Sequence, residues 1–150
     1  MKYPILILSM LLLGIISCEK SDDDCTDTTL NTTSLEAEYG CIDTKYQMDV
    51  ELSESHIIIR NQLDFTELVS GSCQPDIDFS VYDLVIGKQG LTSGNDTIYY
   101  KLIENCETGN EFLTITFIQD ATTIAPTVTY HALIPKLEDG QEHSVEIVIN

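Results

Sequence analysis

The sequence predicts a mainly β domain, an antiparallel β-sandwich or barrel-like fold with one short helix. Three observations lead to this prediction. Apolar and polar residues alternate along several short segments, turn-forming residues separate these segments roughly every 10–15 residues, and only one segment carries the start and stop signals of a helix. The 150 residues suffice for one ordinary domain, and the chain shows no internal repeat.

The first predicted strands lie between residues 45 and 60. Residues 19–41 have the composition of a linker, in which SLEAEY (34–39) is a candidate short strand. KYQMDVEL (45–52) alternates without interruption, and a period of two predicts a half-buried strand. Its apolar face would consist of Tyr46, Met48, Val50 and Leu52. HIIIR (56–60) predicts a second, more buried strand.

The one predicted helix lies in LDFTELVSG (63–71). Asp64 is the expected N-cap, and Glu67 three residues later completes a pair like a capping box. Leu63 and Leu68 suit a hydrophobic staple, and Gly71 suits a left-handed stop. The helix spans only about two turns, so we expect packing on a sheet to hold it.

The remainder of the chain predicts one strand after another. The expected strands are 77–87, 97–105, 112–119, 127–135 and 144–150. In the first of these, apolar residues fall on both faces from Val81 onward, which indicates a central strand or a bulge. In the later ones the inward residues would be Ile98, Tyr100, Leu102, Leu113, Ile115, Phe117, Val128, Tyr130, Ala132, Ile134, Val145, Ile147 and Ile149. Residues 90–95 and 106–111 have the composition of hairpin turns.

The N-terminus predicts a secretory signal peptide over residues 1–17. Lys2 precedes an apolar run from Pro4 to Ile16. The run of about 13 residues is too short to cross a bilayer, which takes roughly 20, but it fits the apolar region of a signal peptide. The alternative is a buried helix, but the rest of the chain offers no amphipathic partner for so uniform a run.

The end of the apolar run, Ile15-Ile16-Ser17-Cys18, resembles the lipobox of bacterial lipoproteins. The resemblance implies that Cys18 becomes the new N-terminus and carries a diacylglycerol on its sulfur and an acyl chain on its amine. Two such chains anchor a protein stably in a membrane. Ile16 departs from the Ala or Gly that many lipoboxes carry there, and an ordinary cleavage site followed by a free cysteine is the alternative.

The acidic stretch after Cys18 is too polar to pack, so we expect a flexible tether over residues 18–41 and the β domain over 42–150. Ser21 followed by Asp22, Asp23 and Asp24 also resembles the signal that sends some Gram-negative lipoproteins across the outer membrane. That resemblance implies an outer-membrane, lipid-anchored protein displayed at the cell surface. A spacer with no export role is the alternative.

The charge of the chain restricts its partners. Cleavage would remove Lys2, one of seven basic residues, and none of the 25 acidic ones. A surface this acidic repels nucleic acid and anionic headgroups, so the expected partners are the membrane through the lipid anchor and an unknown protein or envelope component.

Five cysteines suggest a disulfide framework in an exported chain. Lipidation of Cys18 leaves four, which allow three connectivities. Cys73 and Cys106 flank the expected hairpin at similar distances from its turn, which favours Cys73–Cys106 and, by elimination, Cys25–Cys41. Free buried thiols are the alternative.

The sequence contains no recognisable catalytic, cofactor or metal motif. We expect His56, His131 and His143 to be surface histidines, solvated or hydrogen-bonded, because no two share a ligand spacing. Neighbouring acid pairs are expected to form a solvated surface; they are Asp76 with Asp78, Glu104 with Glu107, and Glu138 with Asp139. G-x-S-x-G is absent from the sequence. We therefore predict no enzyme, no cofactor and no metal.

Residues 55–136 resemble the C-terminal domain of protease-complex-associated lipoproteins. The resemblance rests on a helix, the stretch Asp78-Phe79-Ser80 at the opening of a strand, a Gly/Thr/Ser turn and Ile134-Pro135-Lys136 late in the chain. The turn at residues 92–96 lacks the paired glycines and the aromatic residue usual in that family. The resemblance therefore implies a fold and carries no function over.

The sequence thus predicts a surface lipoprotein that acts as a non-catalytic binding or accessory module for a protein or envelope component. The alternative is an enzyme, or an enzyme inhibitor, that acts on envelope proteins or glycans. The lack of a catalytic motif favours the binding module.

Overall fold

The computed structural model describes residues 25–52 and 54–150. Several predictions fall outside these residues: the signal peptide (1–17), lipidation of Cys18, and the export signal of Ser21, Asp22, Asp23 and Asp24.

The described chain forms three short helices and nine strands. The helices are α1 (Leu35–Tyr39), α2 (Thr44–Gln47) and α3 (Gln62–Leu68). The strands are β1 (Thr28–Leu30), β2 (Met48–Val50), β3 (His56–Ile59), β4 (Val69–Gly71), β5 (Tyr82–Gly90), β6 (Asn95–Glu104), β7 (Glu111–Gln119), β8 (Thr127–Pro135) and β9 (His143–Ile149).

The strands form a sandwich-like, mainly β architecture, as the sequence predicts. The outer sheet has the order β1-β6-β7-β9, and the central sheet has the order β3-β5-β8. The pair β2-β4 forms a small third sheet on the helical side. All pairings are antiparallel apart from β7 with β9, which run parallel.

The central sheet is buried on both faces, as the apolar pattern of its strand β5 predicts. Val85 packs into the core between the two larger sheets, with Leu113 and Phe117 of the outer sheet. Leu84 and Ile86 point the other way, into a second core that α1, α3 and the β2-β4 pair cover. Each such fully buried side chain contributes about 1.5–3 kcal/mol, so both layers are needed for stability.

The predicted hairpin between β5 and β6 does not form. β5 pairs with β3 on one edge and β8 on the other, so no edge remains for β6. Residues 91–94 instead carry the chain from the central sheet to the outer sheet, where β6 pairs with β7. Leu91 is buried in this crossing, and its N–H donates to the carbonyl of Pro126 at 2.9 Å.

The predicted disulfide pairing is wrong because it depended on that hairpin. The structure pairs Cys25 with Cys106 and Cys41 with Cys73. β1 lies beside the end of β6, with Thr28 opposite Glu104, and this brings Cys25 to Cys106. The prediction that all four cysteines form disulfides is confirmed.

The folded part of the chain begins before the predicted boundary at residue 42. The disulfide at Cys25, strand β1 and helix α1 all lie within residues 25–41 and belong to the domain. Leu35 of α1 is fully buried, and Thr33 exchanges two backbone hydrogen bonds with Leu133 of β8. The flexible tether expected over residues 18–41 therefore does not extend through residues 25–41.

The helices differ from the predictions at their starts. α3 is present, but Asn61 caps it by accepting from the Asp64 N–H at 2.9 Å, so Asp64 is the third helical residue and not the cap. SLEAEY forms α1 and not a strand, with Ser34 as N-cap and Gly40 in the left-handed conformation at its end. The predicted strand at 45–52 is reduced to β2, because α2 takes residues 44–47.

Other strands differ from the predictions at their ends. Asp78, Phe79 and Ser80 lie in the turn before β5 instead of opening a strand. The inward faces of β7 and β8 are confirmed, but Ile149 at the end of β9 is 46% exposed.

A buried ion cluster joins the central sheet to the chain after β8. The Asp83 carboxylate is fully buried and lies 2.9 Å from Arg60 Nε and 2.9 Å from Lys136 Nζ. It also accepts from the Leu137 N–H at 3.1 Å. These two cations and the N–H group offset the desolvation of the carboxylate, which costs several kcal/mol.

No helix within residues 25–52 and 54–150 is long and apolar enough to cross a membrane.

Replacing both cations of this cluster, Arg60→Met with Lys136→Met, should destabilise the domain by about 3–5 kcal/mol, because Asp83 then stays buried with one N–H partner. Lys88→Met is the matched control. It breaks a pair with Asp49, whose side chain is 68% exposed, and should cost less than about 1 kcal/mol. Urea unfolding of wild type, the double variant and Lys88→Met measures both losses of stability. Equal losses in the two variants would contradict the role of Arg60 and Lys136 in compensating the buried charge of Asp83.

Candidate functional site

A pocket of about 510 Å³ lies where α1 and α2 meet both larger sheets. We call it the α1–α2 pocket. Its walls come from the segment before α1, from α1 and α2, from the start of β6 and from the middle of β8. Its polar side chains include Glu36, Thr44, Lys45, Asn95, Tyr100 and His131.

Helix α1 places Glu36 at the pocket. Ser34 Oγ accepts from the Ala37 N–H at 3.1 Å and thereby starts the helix beside β8. Leu35 enters the core on the helical side, so the next residue, Glu36, lies on the pocket side with its side chain 37% exposed.

The turn before α2 places Thr44. Asp43 has φ 51°, a left-handed conformation that Asp tolerates better than most residues. The chain reverses there, and Thr44 is only 2% exposed against β8. Asp43 itself is exposed and lines the pocket.

Strand β8 contributes His131, which is 3% exposed. The prediction of a surface histidine is wrong here, because α1 and α2 cover the face of β8 that the sequence suggested was solvated. The backbone N–H of His131 donates to the Tyr100 hydroxyl at 3.2 Å. Burial raises the pKa of Tyr100, so this hydroxyl stays protonated.

Glu36, Thr44 and His131 form one hydrogen-bonded cluster. The Thr44 hydroxyl donates to Glu36 Oε1 and lies 2.7 Å from His131 Nε2. The hydroxyl has one proton, which goes to the carboxylate, so His131 Nε2 carries the proton of the second contact. The same Nε2 lies 3.4 Å from Glu36 Oε2.

The cluster keeps Glu36 ionised. Burial alone would raise the pKa of this carboxyl, but hydrogen bonds from His131 and Thr44, together with the charge of His131, outweigh burial and hold the pKa well below its usual range. The pocket therefore contains a fixed negative charge at neutral pH.

The cluster lacks the order of a catalytic triad. In such a triad the acid binds one ring nitrogen and the nucleophile binds the other. Here Glu36 and Thr44 both contact Nε2, while Nδ1 of His131 is buried without a hydrogen-bond partner in the described part of the chain. The proton of the Thr44 hydroxyl is also donated to Glu36, so His131 does not hold that hydroxyl as a base would hold a nucleophile.

Asn95 lines the pocket at the start of β6 and is 5% exposed. Its amide nitrogen donates to the carbonyls of Thr97 and Ile118, both at 3.1 Å. These two bonds fix the side chain, and its Oδ1 is buried without a partner among residues 25–52 and 54–150. Lys45 Nζ lies nearby and donates to the backbone carbonyl of Asn95 at 3.3 Å.

A second buried polar pair lies at the start of β7 and β9. Glu111 and His143 are register partners, and His143 Nδ1 lies 3.3 Å from Glu111 Oε2. Their side chains are 3% and 1% exposed, so the prediction that His143 lies at the surface is also wrong. Burial raises the pKa of Glu111, with help from Glu104 and Asp83, whereas burial and His56 lower the pKa of His143 to about 4.

The remaining predicted residues do not converge on a site. His56 is half-buried at the start of β3, where its Nδ1 lies 3.2 Å from Ser55 Oγ. The acid pairs are exposed, as expected, apart from the half-buried Glu104; the exposed members are Asp76, Asp78, Glu107, Glu138 and Asp139. The described residues contain no group of three or more His, Cys, Asp or Glu placed to hold a metal ion.

No motif in the sequence points to Glu36, Thr44, Lys45 or Asn95 as site residues. A signal was present for Glu36, since Ser34 and Gly40 are good helix-capping residues on either side of LEAEY. No local signal marks Asn95, whose role depends on the crossing from β5 to β6.

No protein-family model matches this chain, and no curated protein or solved structure matches it at a significant level. The resemblances to lipoproteins and to the protease-complex-associated domain therefore stay predictions.

The buried pair at β7 and β9 generates a pH prediction. His143 stays neutral in the folded chain down to about pH 4, but in the unfolded chain it takes up a proton near pH 6.5. Its depressed pKa therefore contributes stability above pH 6.5 that is lost as the pH falls toward 4. The pKa of Glu111 is raised, so the contribution of this carboxyl to stability increases as the pH falls.

Wild type should accordingly lose about 2 kcal/mol relative to His143→Gln between pH 7 and pH 4. Denaturant unfolding of both chains at the two pH values measures this change. A stability difference that does not vary with pH would contradict the burial of a neutral His143.

Proposed function

We propose that this chain is an outer-membrane lipoprotein, anchored through Cys18 and displayed at the cell surface, that acts as a non-catalytic binding or accessory module. The α1–α2 pocket is its binding site for a protein or envelope component. The observation that carries the binding role is a pocket whose polar side chains are held in place by hydrogen bonds within the protein, namely those of Glu36, Thr44, Asn95 and His131.

Two features support an exported location. The lipobox-like stretch ends at Cys18, and an acidic run follows it directly. The four cysteines of the described chain all form disulfides, a usage typical of oxidising compartments outside the cytoplasm.

One observation favours the alternative, an enzyme acting on envelope proteins or glycans. A hydroxyl, an imidazole and a carboxylate lie within hydrogen-bond reach of one another in the pocket. The shared Nε2, and the donation of the Thr44 proton to Glu36 instead of His131, argue against it. The binding module is therefore the function that the geometry supports best.

The anchor and the surface display are tested together on intact cells. We expect mass spectrometry to show acyl chains on a mature N-terminal Cys18, and we expect added protease to remove the domain from whole cells. Cys18→Ser is the control and should leave the chain without lipid. A lipidated chain that protease cannot reach would contradict surface display, and an unmodified N-terminus would contradict the anchor.

The pocket is tested by photo-crosslinking in the same cells. A photoreactive amino acid in place of Ala37, an exposed pocket residue, should give a defined adduct. The same substitution at Ala121, which is exposed and does not line the pocket, is the matched control and should give none. Equal adducts at both positions, or none at either, would contradict a binding role for the pocket.

A further inference from the structure

We propose that the α1–α2 pocket recognises a primary ammonium group, such as that of a lysine side chain or of a small free amine. The inference rests on the proposed binding function and names the chemistry of its ligand. The carrying observation is a pocket whose lining contains both a buried, unpaired acceptor atom, Oδ1 of Asn95, and the carboxylate of Glu36.

The unpaired acceptor is Oδ1 of Asn95. The amide nitrogen is already committed to two backbone carbonyls, so the amide cannot rotate without losing both bonds. The described chain offers Oδ1 no donor, although the side chain is 95% buried. A buried acceptor left unpaired costs about 1–3 kcal/mol, which a donor on a ligand would recover.

Nδ1 of His131, which also lines the pocket, is a second buried polar atom without a partner among the described residues. The unpaired Oδ1 of Asn95 can only accept, so it requires a ligand that donates hydrogen bonds. This excludes a bare carboxylate or a fully ionised phosphate.

The charges around the pocket favour a cationic donor. Glu36, Asp43 and Asp96 line it, and Lys45 is the one Lys or Arg among the described lining residues. Hydrogen bonds within the cluster keep Glu36 ionised. The acidic chain as a whole also raises the local concentration of cations.

Lys45 shows how an ammonium fits this pocket. Its Nζ already donates to the backbone carbonyl of Asn95 at 3.3 Å, a long contact for a charge-assisted bond. An ammonium has three donors, so a ligand reaching the same place could use Asn95 and Glu36 together. Lys45 would then compete with the ligand, and removing its charge should strengthen binding.

The test uses the full mature chain in detergent and two ammonium probes. Propylammonium represents a free amine, and Nα-acetyl-lysine methylamide represents a peptide side chain. The matched neutral probe is the Nε-acetylated form of the second, and propionate is the anionic probe. Calorimetry gives affinities, and NMR shifts of the Tyr100 and His131 amides report whether a probe lies in the pocket.

We expect both ammonium probes to shift these amides and the neutral and anionic probes to leave them unchanged. Binding of the lysine derivative alone would assign the ligand to a peptide side chain, and equal binding of both would assign it to the ammonium itself. Either result supports the proposal.

Three variants then test the assigned residues. Glu36→Gln should weaken ammonium binding about tenfold, and Lys45→Gln should strengthen it severalfold. Glu38→Gln is the control, because it removes the same charge from an exposed residue of the same helix that does not line the pocket. The affinity of this variant for the ammonium probes should stay within twofold of wild type. Thermal unfolding confirms that each variant is folded.

Two results would overturn the inference. Shifts produced by propionate or by the acetylated lysine, and not by the amines, would show that the pocket binds another chemistry and would leave the binding function standing. Shifts by no probe would also overturn the ammonium assignment, while the crosslinking at Ala37 would decide separately whether the pocket binds anything.

Discussion

Burial of the central sheet on both faces is the constraint on which the rest of the structure depends. Leu84, Val85 and Ile86 follow one another in β5, so both faces of this three-stranded sheet are apolar and neither can be exposed to water at low cost. It needs the outer sheet on one side and the helices with β2-β4 on the other. Since β5 pairs with both β3 and β8, it has no free edge for β6, and the chain crosses to the outer sheet after it. After β8 the chain crosses again and forms β9 of the outer sheet.

These crossings create the pocket. The crossing after β5 places the start of β6 close to β8, and the helical layer that covers β8 brings α1 and α2 to the same corner. Polar side chains from four segments distant in sequence therefore meet there. This arrangement costs hydrogen bonds. The fold holds Asn95 and His131 in place, but one polar atom of each side chain is left without a partner in the described part of the chain.

The sequence predicted the strands and their inward faces well, because a period of two reports directly on burial. It could not predict which strands are neighbours, and the disulfide pairing failed with the misplaced hairpin. Helix α1 was missed because Leu35, Ala37 and Tyr39 alternate like a strand, although Leu35 and Tyr39 also share a helical face. His131 was misjudged because only the tertiary structure shows that α1 and α2 cover its side of β8. The pocket was unpredictable for the same reason.

The disulfide of Cys25 fixes where the N-terminal segment joins the folded domain. If Cys18 carries the lipid, six residues lie between it and Cys25, and a chain of that length spans at most about 25 Å. Cys25 is bonded to Cys106, two residues after the end of β6, whereas Asn95 begins that strand. A strand of ten residues is about 33 Å long, so a lipid tether would join the domain at one end of β6 and leave the pocket at the other.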